Sequence, residues 1–151
     1  MAQHEASTLT SGLPGRIGAG VVGGLVGGVV FGLLMTMMDM MPMVADLIGS
    51  EAVAVGWLVH LVNSALFGAI FAVLFGRWAQ ALGPAIGIGL GYGALWWVLG
   101  ALLIMPAWLG MSDMIFQVGQ DQWLSLMGHL IYGLLLGVVY APLVRRIAQR
   151  Y

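Results

Sequence analysis

Four stretches of the chain stay apolar for about 20 residues or more, the length a helix needs to cross a hydrocarbon core. They cover residues 17–44, 55–75, 85–109 and 124–147, with short polar or Gly- and Pro-containing segments between them. This pattern predicts an all-α polytopic membrane protein, a bundle of four transmembrane helices. Residues 1–16 read as a polar, flexible tail in which His4 is solvated, and residues 17–151 as a single membrane domain. The first apolar stretch is longer than a span requires, so it is expected to tilt or to break near Pro42. It is also too long for a signal-peptide core and lacks a small-x-small cleavage site, so it is expected to remain as an anchor.

Composition narrows the solvent to lipid. With 61% hydrophobic and 7% charged residues, and a mean hydropathy of +1.00, too little polar surface remains to cover a water-soluble globule. The formal net charge of -1 gives no basic field of the kind that nucleic acid attracts. Cysteine is absent, which removes disulfides, thiolate metal sites, iron–sulfur clusters and a cysteine nucleophile together.

Charge also orients the chain. The five basic residues, Arg16, Arg77, Arg145, Arg146 and Arg150, flank the first span, occupy the second loop and end the chain. Asp46, Glu51, Asp113 and Asp121 fall in the other two loops. Because cytoplasmic loops collect Lys and Arg, both termini are expected in the cytoplasm and the protein in the cell (plasma) membrane. Trp57, Trp78, Trp108 and Trp123 lie near span ends, as headgroup-level anchors do, whereas Trp96 and Trp97 lie mid-span, where Tyr92 accompanies them.

Sliding the chain by about 69 residues superimposes His60-Leu61-Val62 on His129-Leu130-Ile131, Gly68 on Gly137, Ala72 on Ala141, Leu74 on Leu143 and Arg77 on Arg146. Ile17-Gly18-Ala19-Gly20 falls on Ile86-Gly87-Ile88-Gly89, and the pairs Met41-Pro42 and Met105-Pro106 match after a shift of about five residues. Two tandem parallel hairpins follow, related by an axis along the membrane normal. Small residues at four-residue spacing line their helices: Gly20, Gly24, Gly28 and Gly32; Ser64, Gly68 and Ala72; Gly89 and Gly93; Gly133 and Gly137. Such ridges let helix backbones approach closely in lipid. His60 shares the ridge of Ser64 and Gly68, and His129 that of Gly133 and Gly137, so both imidazoles are expected to face neighbouring helices near the outer surface.

Ionisable groups within spans are costly and therefore candidates for function. They are His60, His129 and Asp39, the last inside the run Met35-Thr36-Met37-Met38-Asp39-Met40-Met41-Pro42-Met43. Ten of the eleven Met residues fall in the outward half of this topology. Imidazole with thioether suits copper, with His60, His129, Asp39, Met38 and Met41 as ligands. Alternatively, His60 and His129 on diagonal parallel helices present two axial ligands to haem b. The simpler reading, and the one preferred, has each histidine hydrogen-bonding a carbonyl or carboxylate of a neighbouring loop, Asp39 among them, so that the hairpins are pinned together. Enzymatic machinery is missing: no span holds a carboxylate pair, no nucleophile adjoins a base, and Gly23-Gly24-Leu25-Val26-Gly27-Gly28 lies in an apolar span without the strand that a phosphate loop requires.

The Gly-rich span ending in Met-Met-Pro-Met, the Trp57-Leu58-Val59-His60 opening of the next and the Gly128-His129-Leu130-Ile131-Tyr132-Gly133 segment of the fourth resemble a family of small four-helix prokaryotic membrane proteins of unknown function. The likeness covers residues 17 to 147 and implies the architecture but no catalytic role. The expectation is a non-enzymatic accessory or scaffolding subunit of a larger membrane complex, with the bilayer and other membrane subunits, or copies of itself, as partners.

Overall fold

The computed structural model describes residues 2–149, with side chains from residue 12 onward. The backbone of residues 2–16, expected as a flexible tail, forms the first turns of α1, while the side chain of His4 and the share of the basic end assigned to Arg150 lie outside the described residues. The chain runs α1 (Ala2–Met37), α2 (Met41–Asp46), α3 (Val53–Leu74), α4 (Leu82–Trp96), a π-helical segment (Trp97–Ile104), α5 (Met105–Trp108), a 3₁₀ turn (Ser112–Met114) and α6 (Gln120–Ala148). There is no strand among the described residues. Four helical stretches are long and apolar enough to cross a membrane: Gly12–Met37, Val53–Leu74, Leu82–Trp108 and Gln120–Ala148.

The last three stretches match the hydropathy pattern closely. The first ends at Met37 rather than running to Val44, and of the tilt or break expected near Pro42 the chain shows the break. Asp39 is the reason. It adopts φ 53°, while its N–H donates to Thr36 O at 3.2 Å and the Met40 N–H donates to Met35 O at 2.9 Å. These two bonds and a left-handed residue form a Schellman C-cap, which satisfies carbonyls that a helix end leaves open. Gly49 and Gly110 end α2 and α5 in the same way, with φ 74° and 72°. Aspartate is among the few residues besides glycine that tolerate this conformation. Pro42 then falls at the start of α2, where its missing N–H has no bond to lose.

The other Met-Pro pair acts differently. Pro106 lies inside the third span, where its ring obstructs the carbonyl four residues back and no N–H is present to bond it. The helix widens ahead of it into the π segment, whose last turn closes through the Met105 N–H donating to Gly100 O. The Leu102 carbonyl is taken instead by the N–H of Phe116, at 2.9 Å, from the following loop. In lipid such a freed carbonyl needs a partner within the protein.

α1 packs along both α3 and α6, and α6 also along α4, so α1 and α6 form the centre and α3 and α4 the flanks. The helices meet at glycines. A Cβ on Gly20 would strike Gly68 O, and one on Gly68 would strike Gly20 O; Gly24 lies against Ser64 O, Gly28 against the Ser64 side chain and Gly32 against Trp57 and His60. In the other pair, Gly89 and Gly133 face each other's carbonyls, Gly93 lies against His129 O and Gly137 against Ala85 O. Between α3 and α4 the wider gap is filled by rings: Phe67 stacks on Trp96 at 4.0 Å, and Phe71 and Phe75 meet Tyr92 edge-on at 5.3 and 5.8 Å. Trp96, Tyr92 and their neighbours thus act as spacers between helices, which explains their position away from the headgroup belt.

Replacing Asp39 tests the cap. Asp39→Gly should hold or raise stability, and Asp39→Val should lower it by about 1–2 kcal/mol, the cost of a left-handed β-carbon. Denaturation in mixed micelles followed by tryptophan fluorescence measures both.

Candidate functional site: two histidines on one aromatic ring

The polar side chains of the interior converge in the half of the bundle that holds His60 and His129. His60 is buried on the face of α3 turned to α1, and its Nε2 lies 2.9 Å from Gly28 O. Only a ring N–H can bond a carbonyl, so Nε2 carries the proton and donates. One turn further along α3, the Ser64 hydroxyl donates back to His60 O at 2.7 Å. The Tyr132 hydroxyl of α6 donates to Ser64 O at 2.7 Å. Gly24 and Gly27 leave room for the tyrosine, since a Cβ on either would crowd its hydroxyl or its ring. Three helices, α1, α3 and α6, are therefore joined by side chains bonding to backbone carbonyls.

His129 behaves differently. Its Nδ1 donates to Ser125 O, 2.8 Å away on its own helix, with the Ser125 hydroxyl at 3.4 Å. Between the two imidazoles stands Phe31 of α1, which meets His60 edge-on at 5.4 Å and His129 at 4.8 Å between centroids. Gly128 makes this possible, because a Cβ there would collide with the Phe31 ring. Trp57 closes the cluster, 6.3 Å from His60.

The expectation that the histidines reach for loop groups is corrected. Their acceptors, Gly28 O and Ser125 O, both belong to membrane-spanning helices. Asp39 is not among them: it is exposed in the turn after α1, as a cap rather than a deep charge. Met41 is buried against Gly56 of α3, Met38 is half-buried in the turn, and neither joins the imidazoles in a ligand set. Among the described residues no group of three or more His, Cys, Asp or Glu could hold a metal ion. Each imidazole packs against the ring of Phe31.

Sequence reasoning named the histidines but missed Phe31, Ser125 and Tyr132, which organise them. Tyr132 had one signal, its place beside Gly133 three residues after His129. Phe31 had none, because one aromatic residue in an apolar run is indistinguishable from lipid-facing neighbours. Compared with known protein families, curated proteins and solved structures, the chain matches none.

The unequal bonding of the two rings yields a prediction. His60→Phe removes a bond between helices and should cost about 1 kcal/mol, in the range measured for interhelical hydrogen bonds in membranes. His129→Phe removes a bond within one helix and should cost less. Unfolding of both variants in mixed micelles measures the difference; equal losses would overturn the assignment.

Proposed function

We propose that this protein is a non-enzymatic, multi-pass accessory or scaffolding subunit of the cell membrane, with both termini cytoplasmic, that works by packing against other membrane chains or copies of itself. The observation that carries this reading is a contrast between two sets of glycines. Those at Gly20, Gly24, Gly68, Gly89, Gly93, Gly133 and Gly137 are in backbone contact with a neighbouring helix. Gly83, Gly87 and Gly91 form a second ridge on α4 at the same four-residue spacing, exposed, with no atom within 4 Å of where a Cβ would stand. A ridge of this kind in lipid is suited to another helix. α4 and the π segment add Leu95, Val98, Leu99 and Ile104 to the exposed apolar surface.

The interior supports the same reading. The groups that could do chemistry are committed to structure: His60 to Gly28 O, Ser64 to His60 O, and the Tyr92 hydroxyl to Phe67 O at 2.7 Å. The loops are short and hold no folded soluble part, which leaves the membrane-embedded faces as the surface for recognition. The tandem-repeat reading, and with it the likeness to small four-helix prokaryotic membrane proteins, belongs to this proposal; the two hairpins both closing on glycine ridges speaks for it.

Two neighbouring glycines separate the roles. Gly87→Ile should leave the bundle folded, since nothing opposes the new side chain, while reducing the mass of the particle extracted from native membranes. Gly89→Ile places the same side chain against Gly133 O and should destabilise the bundle itself. Size-exclusion chromatography with light scattering and a thermal melt distinguish them. A wild-type particle of the monomer's mass, unchanged by Gly87→Ile, would overturn the proposal.

A further inference from the structure

The end of the bundle opposite the histidine cluster carries concentrated positive charge. Three arginines are arranged around the segment 75–81, which joins α3 to α4. Arg16 of α1 donates through Nη2 to Ala72 O at 3.0 Å, beneath Gly76. Arg77 lies over the ring of Trp78, with the guanidinium carbon 3.7 Å from the centroid. Arg145 of α6 donates through Nε to Gln80 O at 2.7 Å. The exposed Arg146 is next along α6.

The segment they surround is itself held in place. Its Ala79 is fully buried, and the N–H groups of Trp78 and Ala79 donate to Phe75 O at 2.9 and 3.1 Å. Backbone carbonyls and an aromatic face thus orient the guanidinium groups without cancelling their charge. Asp39, Asp46, Glu51, Asp113 and Asp121, the acidic residues whose side chains are described, all lie at the other end of the spans. Trp78 is half exposed beside Arg77, and an indole in that position sits at headgroup depth. Phosphate occupies the same layer, and a guanidinium bonds phosphate oxygens through two parallel N–H groups.

We infer that this end of the bundle binds the phosphate of an anionic phospholipid headgroup, with Arg77 and Arg145 contacting it and Arg16 supplying fixed positive charge behind them. The site rests on the chain lying in a bilayer and does not depend on the accessory role proposed above. Arg77 and Arg145 keep N–H groups beyond those already engaged, and both side chains are exposed.

Native mass spectrometry of the full chain in mild detergent tests this, with phosphatidylglycerol and phosphatidylcholine of identical acyl chains added in turn. Wild type should retain phosphatidylglycerol in preference to phosphatidylcholine. Arg77→Gln and Arg145→Gln should each reduce that preference about fivefold, the contribution of one cation near an anionic membrane surface. The corresponding Lys variants keep the charge and should keep most of the preference. Equal retention of the two lipids by wild type, or an unchanged preference in both Gln variants, would overturn the site. Release of phosphatidylglycerol by millimolar inorganic phosphate would overturn the lipid assignment in favour of a free anion.

Discussion

Helices in lipid gain nothing from excluding water, so their association depends on how closely their backbones can approach. In this protein that distance is set by glycine. Gly20 against Gly68, and Gly89 against Gly133, leave no space for even a methyl group, and the central helices α1 and α6 are held to their flanking partners at these points. The polar bonds depend on this approach. His60 reaches Gly28 O because Gly24 and Gly28 bring α1 that near to α3, and Tyr132 passes to Ser64 because Gly24 and Gly27 leave a channel for it. A larger residue at any of these positions would separate the helices and leave polar side chains without acceptors in a medium that supplies none.

The two Met-Pro pairs illustrate how position decides what a proline does. At Met41-Pro42 the helix has already ended, through the left-handed Asp39, and the proline merely begins a short new helix. At Met105-Pro106 the span continues, so the backbone relaxes into a π turn and the loop residue Phe116 supplies the missing donor to Leu102 O. One dipeptide thus opens a short helix after a span in the first half and reshapes a span from within in the second.

The histidines diverge for a related reason. A shift of 69 residues places Trp97 where the first half has Gly28, so the slot that admits His60 has no counterpart beside His129. The glycine contacts are also displaced by one turn: Gly24 lies against Ser64 O, whereas Gly93 lies against His129 O rather than against Gly133. Left without a carbonyl across the helix pair, His129 bonds back to Ser125, and Trp97 donates instead to Gln122 O at 2.8 Å.

The sequence by itself determined the all-helical class and the number of long apolar helices, because hydropathy and length are local properties that no neighbour can change. It also marked glycines at four-residue spacing as points of close approach. It could not say which ridge meets which: Gly89 and Gly87 look alike in the chain, yet one lies against Gly133 and the other faces outward. Asp39 was legible as an unusual charge but not as a helix cap, since that role resides in a backbone angle. Only the tertiary structure decided that Phe31 stands between the histidines and that their acceptors are carbonyls within the spans, because a hydrogen bond across 32 residues of chain depends on how whole helices pack.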